Sequence, residues 1–106
     1  MEFRLEHANI PANEPEELAK WYATKFDLKA EQHLVRGDGV LIAFQKGTPI
    51  GQPDVLHIGF NVGTKTRLIE WCTRFTGEIK VGPEFSSFQL IDPEGNCVEI
   101  YAANDS

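Results

Sequence analysis

The sequence predicts an α+β fold made of two tandem modules, with the order β-α-β-β in the first half and β-α-β-β-β in the second. The first observation is an internal repeat with a shift of 50 residues, which indicates a duplicated supersecondary unit. The second is that each half combines the alternating pattern of strands with one stretch of helical spacing. The shift superimposes His7 on His57, Leu18 on Leu68 and Trp21 on Trp71.

The length of the chain limits it to one domain. With 106 residues, the chain is too short for two independent hydrophobic cores, so both halves are expected to be modules of a single domain. Module 1 covers about residues 1–50 and module 2 about residues 51–106. Later in each half the shift grows to 56, where the turn around Asp38 matches the turn around Glu94. One insertion of six residues explains both shifts.

The first module begins with the strand that carries His7. Asn13 and Glu16 have the spacing of a helix capping box, and apolar residues at helical spacing follow them. After this helix, residues 28–36 and 40–46 are joined by Gly-Asp-Gly and predict one β-hairpin. The first module is therefore predicted to have two strands after its helix.

The second module begins with an alternating strand in which His57 lies on the face away from the apolar side chains. A helix with a one-sided apolar stripe follows, and Gly77 is suited to end it. Three strands are then predicted, the last two of them joined by the turn Asp-Pro-Glu-Gly-Asn. The predicted ranges are 55–62 for the first strand, 66–75 for the helix, and 79–81, 87–91 and 97–102 for the later strands.

Composition excludes several classes of partner. The net charge is -6 and the basic residues are scattered, so no positive stripe is available for nucleic acid. No apolar run approaches the roughly 18 residues that a membrane span requires. The chain starts without the pattern of a secretory signal and has only two cysteines, which favours a reducing, cytoplasmic location.

Three side chains that bind metals fall at related places in the repeat. The period of two on the last strand puts Glu99 on the face opposite the apolar core, as it does for His57. If a pseudo-twofold axis relates the halves, His7 and His57 face each other across a shared concavity. The sequence therefore predicts a metal site formed by His7, His57 and Glu99.

The predicted ligand set is incomplete, because Ala43 occupies the position equivalent to Glu99. A catalytic metal keeps a position open for water or substrate, whereas a structural zinc site is closed by four ligands. Gln45, two residues later, could be a weak fourth ligand. Two imidazoles and one carboxylate suit one divalent ion of iron, manganese, zinc, nickel or cobalt better than calcium. The ion would attract a small-molecule substrate with anionic oxygens.

Simpler interpretations exist for each residue taken alone. A single strand histidine is more often a surface residue than a ligand, and only the repeat favours a metal for His7 and His57. Cys97 is either a pocket thiol or a small buried filler, and the filler is favoured because nothing near it in the sequence lowers its pKa. His33 is expected in a strand without any functional partner.

Several segments carry a family resemblance that covers nearly the whole chain. The most specific is the turn 92–96, which is followed three residues later by Glu99. The others are Glu6-His7, residues 16–22, Leu56 to Phe60 and Phe88 to Ile91. Together they resemble the vicinal oxygen chelate superfamily of glyoxalase, bleomycin-resistance, fosfomycin-resistance and extradiol dioxygenase proteins. The resemblance implies paired βαβββ modules that form a curved mixed sheet around a metal cup, and usually a homodimer.

Position by position, the resemblance implies that His7, His57 and Glu99 are the metal ligands. Cup-facing positions that contact substrate in the family correspond to Asn9, Ser87, Gln89 and Tyr101. One departure concerns the first module, because the family has three strands after the helix where two are predicted here. A partner chain in a homodimer could complete that half of the cup.

Three functions follow as alternatives. The leading one is a metal-dependent enzyme of the glyoxalase type, a lyase or isomerase in which the metal acts as a Lewis acid on a substrate with adjacent oxygens. The second is a non-catalytic protein of the bleomycin-resistance type that sequesters a hydrophobic or drug-like ligand, for which aromatic residues such as Phe85 and Tyr101 are suited. The third is an extradiol-type dioxygenase, which uses two histidines and one carboxylate on ferrous iron.

Overall fold

The chain folds into two repeats of the same order, each with one strand, one helix and three further strands. The computed structural model describes residues 2–106. The chain divides into two compact units, the first ending at Ile50 and the second running from Gly51 to Ser106. The elements are β1 (Ala8–Ala12), α1 (Pro15–Phe26), β2 (Lys29–Glu31), β3 (Leu34–Gly37), β4 (Val40–Lys46), β5 (His57–Asn61), α2 (Lys65–Arg74), β6 (Lys80–Val81), β7 (Phe85–Ile91) and β8 (Cys97–Ala103).

The first unit is a four-stranded mixed sheet with one helix. Its strand order is β1-β4-β3-β2, in which β1 runs parallel to β4 and the other neighbours are antiparallel. Ile10 of β1, Val35 of β3 and Phe44 of β4 are buried, and so are Leu18 and Tyr22 of α1. The rings of Tyr22 and Phe44 lie 5.3 Å apart between their centroids, so this helix packs on one face of the sheet. The other face carries the exposed Asn9 and Gln45 together with the buried Ala43.

The second unit has the same plan. Its strand order is β5-β8-β7-β6, with β5 parallel to β8 and the other pairs antiparallel. Leu68 of α2 is fully buried, as are Phe88 and Ile100 of the sheet. Each unit is thus a βαβββ module, and the predicted α+β fold of two tandem modules is confirmed.

Strand register confirms the repeat at the level of single residues. In the first unit Asn9 pairs with Ala43, and in the second Gly59 pairs with Glu99. These two pairs are related by the shifts of 50 and 56 residues that the sequence contains. Ala43 therefore occupies in its own sheet the place that Glu99 occupies in the other.

The prediction that the first module is short of one strand was wrong. Three strands follow α1, because the predicted strand 28–36 is divided by a tight turn at Gln32 and His33. Gln32 has a positive φ of 55°, which non-glycine residues seldom adopt, so no glycine marks the turn in the sequence. His33 therefore lies in an exposed turn and not within a strand. A partner chain is no longer needed to supply a strand to this unit.

The helices differ at their starts. α1 begins at Pro15 with Glu14 as its N-cap, so the predicted start at Asn13 was one residue early. The cause is Pro15, which is well suited to the first helical position but excludes the helical region for the residue before it. Glu14 accordingly has φ -127° and ψ 79°.

Neither helix, in the part of the chain from residue 2 onward, has the length and apolar character of a membrane span.

The N-terminus of α2 gives a test of local stability. The Thr64 side-chain oxygen accepts a hydrogen bond from the Arg67 backbone N–H at 3.2 Å. We expect Thr64→Ala to lower the free energy of unfolding by about 1 kcal/mol, because that N–H loses its cap. Thr66→Ala, in the exposed first turn of the same helix, is the matched control and should change stability little. Urea titration of both variants measures the difference, and equal stabilities would contradict a capping role for Thr64.

Candidate metal and ligand site

Two of the predicted ligands lie on adjacent parallel strands of the second unit. His57 is paired with Cys97, and Glu99 is the next residue but one along β8, so both belong to the face opposite α2. The spacing between strands and the rise per residue put the Cα atoms of His57 and Glu99 about 8 Å apart. His57 is exposed and Glu99 is half-buried. Side chains of these lengths can meet at one ion across that distance.

Glu99 has few neighbours that would occupy its carboxylate. The Gln89 side-chain amide donates a long hydrogen bond of 3.5 Å to Oε2 of Glu99. On the other side, the register partner of Glu99 is Gly59, which has no side chain. The carboxylate is thus held lightly.

Cys97 lies between the two candidate ligands on the same face. It is only 4% exposed. Burial raises the pKa of its thiol, and the neighbouring Glu99 carboxylate raises that pKa further. A thiol with a raised pKa remains protonated at neutral pH, and only the thiolate is a good metal ligand or nucleophile. This supports the interpretation of Cys97 as a buried filler.

An aromatic pair lies two residues beyond Glu99 along the same face. The rings of Phe85 and Tyr101 are 5.7 Å apart and nearly perpendicular, at 80°. Tyr101 leans over Gly59, because a Cβ atom at that glycine would lie 3.5 Å from Cε1 of the ring. Ser87 is the register partner of Tyr101 and is half-buried. The second unit therefore combines a polar end near Glu99 with an aromatic end near Phe85, which is 48% exposed.

The third predicted ligand lies in the first unit. His7 directly precedes β1, and its Nδ1 lies 3.1 Å from Oε1 of Glu6. Asn9 and Gln45 are both exposed and lie on the neighbouring strands β1 and β4. Ala43, the predicted open position, is only 3% exposed.

The structure therefore collects the predicted residues in two groups. His57, Gln89, Glu99 and their neighbours Ser87 and Tyr101 share one sheet face of the second unit, as the register requires. His7, Asn9 and Gln45 belong to the first unit. Among residues 2–106, no three His, Cys, Asp or Glu side chains stand together as a ready metal-binding group. A metal shared by His7, His57 and Glu99 stays a prediction.

The turn before β8 fixes where this strand starts and thereby the position of Glu99 along it. Asp92 is buried, and its Oδ1 accepts hydrogen bonds from the backbone N–H groups of Glu94 at 2.9 Å and Asn96 at 3.0 Å. Its Oδ2 accepts one from the Asn96 side-chain amide at 2.9 Å. Gly95 has φ 86°, which a glycine adopts without strain. The turn is thus a rigid unit three residues before Glu99.

Sequence reasoning missed two residues at these places. Gly59 was treated only as part of a strand, although its lack of a side chain makes room for Tyr101 beside Glu99. This role follows from the pairing of Gly59 with Glu99 across β5 and β8, which is known only once the fold is known. Glu6 was seen as a strand residue, but its carboxylate contacts the His7 ring. In the sequence, only the position of Glu6 next to the candidate ligand His7 could have indicated this contact.

Comparison with known proteins gives structural matches alone. Neither a family model nor a curated protein matches the sequence. Lactoylglutathione lyase from Agrobacterium tumefaciens is 22% identical, with a TM-score of 0.68 over 91% of this chain and 90% of that one. The fosfomycin resistance protein FosX from Listeria monocytogenes is 17% identical, with a TM-score of 0.67 over 96% and 94% of the two chains. The chain has the vicinal oxygen chelate fold.

A further match extends over both modules. The glyoxalase/bleomycin resistance protein/dioxygenase from Alicyclobacillus acidocaldarius is 19% identical, with a TM-score of 0.66 over 99% of this chain and 96% of that one. The structural match to the vicinal oxygen chelate fold thus includes both modules. Because one fold supports many chemistries, function has to be argued from the site.

Proposed function

We propose that this protein binds one divalent metal ion through His7, His57 and Glu99 and acts as a lyase or isomerase of the glyoxalase type. The observation that carries the proposal is the register of β5 and β8, which puts an imidazole and a carboxylate on one face of adjacent strands. The first module repeats the histidine but has Ala43 in place of the carboxylate. Three protein ligands leave positions for substrate.

The donor set fits such an ion. Imidazole and carboxylate together suit divalent iron, manganese, zinc, nickel or cobalt. When bound, the ion supplies Lewis-acid polarisation of substrate oxygens. His57 and Glu99 are the donors that the second unit would supply.

Each neighbouring side chain has a distinct task under this proposal. The Gln89 amide orients the Glu99 carboxylate through its hydrogen bond to Oε2. Ser87 offers a hydroxyl to a substrate oxygen, and Tyr101 offers a hydroxyl and a ring face beside it. Asn9 and Gln45 are the polar groups that the first unit would contribute. A small molecule with two adjacent, partly anionic oxygens is the substrate class that these groups suit.

The structural neighbours support the reaction class at a coarse level. A lactoylglutathione lyase and a fosfomycin resistance protein share the fold with this chain.

Metal content is the first test of this function. Protein purified without chelator is expected to contain about one equivalent of a divalent transition metal, measured by elemental analysis. Glu99→Gln should contain much less, because an amide is a weaker ligand than a carboxylate. Glu78→Gln, at an exposed position outside the site, is the matched control and should retain the metal. Metal content near zero in the wild type and in Glu99→Gln alike, even after incubation with each metal, would overturn the proposal.

A second candidate is sequestration without turnover. The pair formed by the exposed Phe85 and the half-buried Tyr101 favours it, because a perpendicular aromatic corner accepts a third ring by stacking on one face and against one edge. Binding of a drug-like aromatic ligand would then persist with chelator present and in His57→Ala. Loss of binding under either condition would favour the metal-dependent function.

The proposal includes a homodimer in a reducing compartment. The dimer is supported by the family resemblance alone, since the first unit has its full set of strands. The free thiols of Cys72 and Cys97 support the reducing location. Sedimentation at micromolar concentration should give about twice the chain mass of 11.9 kDa, and a monomer alone would contradict the dimer.

A further inference from the structure

The parallel ladder of the first unit stops one rung short of its counterpart. In the second unit, β5 and β8 pair from His57 and Cys97 onward. In the first unit, β1 and β4 pair only from Ala8 and Ile42 onward. The repeat shifts of 50 and 56 identify the missing rung as His7 opposite Leu41.

A cavity of about 430 Å³ lies where that rung is missing. Its walls come from residues 5–8 on one side and from Gly37 and residues 39–41 on the other. β4 is paired with β3 at Val40 and Leu41, so one of its edges is occupied there. In the described part of the chain no strand pairs with the other edge at these two residues. Unpaired backbone groups on a strand edge are a template for a further strand.

The segment beside this edge has the pattern of a strand. Phe3 and Leu5 alternate with the charged residues Arg4 and Glu6, which is the period-two pattern of a half-buried strand. Yet Phe3 is 83% and Leu5 91% exposed, and the segment has no assigned secondary structure. The sequence thus specifies a strand in a place where the ladder has not formed.

A contact within the segment is specific to this open arrangement. Nδ1 of His7 and Oε1 of Glu6 are 3.1 Å apart although the two residues are sequence neighbours. In a regular strand, consecutive side chains point to opposite faces. The Glu6–His7 contact therefore has to break when the segment becomes a strand.

We propose that residues 3–7 are a closing strand whose last two residues, Glu6 and His7, pair with β4 from its start at Val40, so that the segment fills the cavity. Closure continues the existing register, with Glu6 opposite Val40 and His7 opposite Leu41. It places His7 on the first unit's ladder at the position that His57 holds in the second, and Leu5 on the same face as His7. The significance for metal binding rests on the proposed function, whereas the closure itself does not.

Engineered cysteines test the register directly. Rung partners in a ladder lie about 4.8 Å apart, which is within the range that a disulfide bridges. Glu6→Cys combined with Val40→Cys is expected to form the disulfide at least about 10-fold faster than Arg4→Cys combined with Val40→Cys. Both pairs are oxidised mildly with chelator present and quantified by peptide mass spectrometry. The buried Cys72 and Cys97 do not compete. Equal rates, or no disulfide in either pair, would overturn the proposal.

Hydrogen exchange provides a measurement that needs no engineered cysteine. Glu6→Pro removes a backbone N–H within the closing strand, and Glu2→Pro is the matched control outside it. The peptide that contains residues 39–41 should exchange about 10-fold faster in Glu6→Pro than in the wild type, and unchanged in Glu2→Pro. Identical exchange in all three proteins would contradict closure.

The outcomes separate this inference from the proposed function. Both experiments are carried out without metal, so failure to close refutes the closing strand whatever the metal chemistry. A protein that closes but retains no metal refutes the proposed function and leaves the closing strand intact. Glu6→Gln adds a further check, because loss of the Glu6–His7 contact should slow exchange at residues 39–41. Faster exchange in that variant would count against the closing strand.

Discussion

His57→Ala is expected to lower the affinity of the protein for Co²⁺ by about 100- to 1,000-fold. Binding free energies of about 10–16 kcal/mol for zinc sites with four ligands correspond to roughly 2.5–4 kcal/mol per ligand, and each 1.4 kcal/mol is a factor of ten. His57 is exposed at the start of β5, so its removal should leave the core intact. Competition titration with a chromophoric chelator measures the change.

His33→Ala is the matched control for this experiment. It removes the same side chain from an exposed turn of the first unit, and the affinity for Co²⁺ should stay within about twofold of the wild type. Circular dichroism and thermal unfolding of both variants check that the fold is retained. An equal loss of affinity in both variants, or none in either, would contradict the assignment of His57.

Asp92→Ala is expected to lower the free energy of unfolding by about 3–5 kcal/mol. The buried carboxylate accepts three hydrogen bonds from Glu94 and Asn96. Hydrogen bonds to charged groups contribute about 1.5–3 kcal/mol each, and removing the acceptor leaves buried N–H groups without a partner. This is a large fraction of the roughly 5–15 kcal/mol that stabilises a typical domain.

The turn of the first unit offers the control. Asp38 lies in the exposed turn that corresponds to the one at Glu94 in the repeat. Asp38→Ala should change stability by less than about 0.5 kcal/mol, as is usual for exposed positions. Denaturation in urea gives both values. Equal stability of Asp92→Ala and Asp38→Ala would contradict the claim that the Asp92 hydrogen bonds hold the turn before β8.

The repeat made most of the fold predictable. Equivalent histidines and a changed shift after the helix were enough to assign Ala43 to the place of Glu99, and the register of both sheets agrees with that assignment. Period-two alternation also placed His57 and Glu99 on the face away from α2. These features are encoded locally, in the spacing of apolar residues along each strand.

The turn at Gln32 and the start of α1 depend on backbone conformations that the sequence pattern does not reveal. The turn at Gln32 uses a positive φ without glycine or asparagine, so residues 28–36 had the pattern of one strand. The start of α1 shifted because Pro15 restricts the residue before it more strongly than a capping box attracts Asn13. Both differences concern a single residue whose backbone geometry overrides the local pattern.

The shared sheet face of His57 and Glu99 was predictable from the sequence, whereas the surroundings of these two residues were less so. The space at Gly59, and the Tyr101 ring that leans over it, follow from cross-strand neighbours far apart in the sequence. The burial of Ala43 also depends on packing, and the sequence marked that position only as small. Residue types could be assigned from the chain alone, whereas their neighbours required the fold.

The central claim is that one metal ion binds His7 from the first module together with His57 and Glu99 from the second. X-ray absorption spectroscopy of the Co²⁺-loaded protein tests it by counting imidazole ligands. The account predicts two imidazoles in the wild type and one in both His7→Ala and His57→Ala, with His33→Ala unchanged at two. A count that stays the same in His7→Ala, or a wild-type site without imidazole, would contradict it.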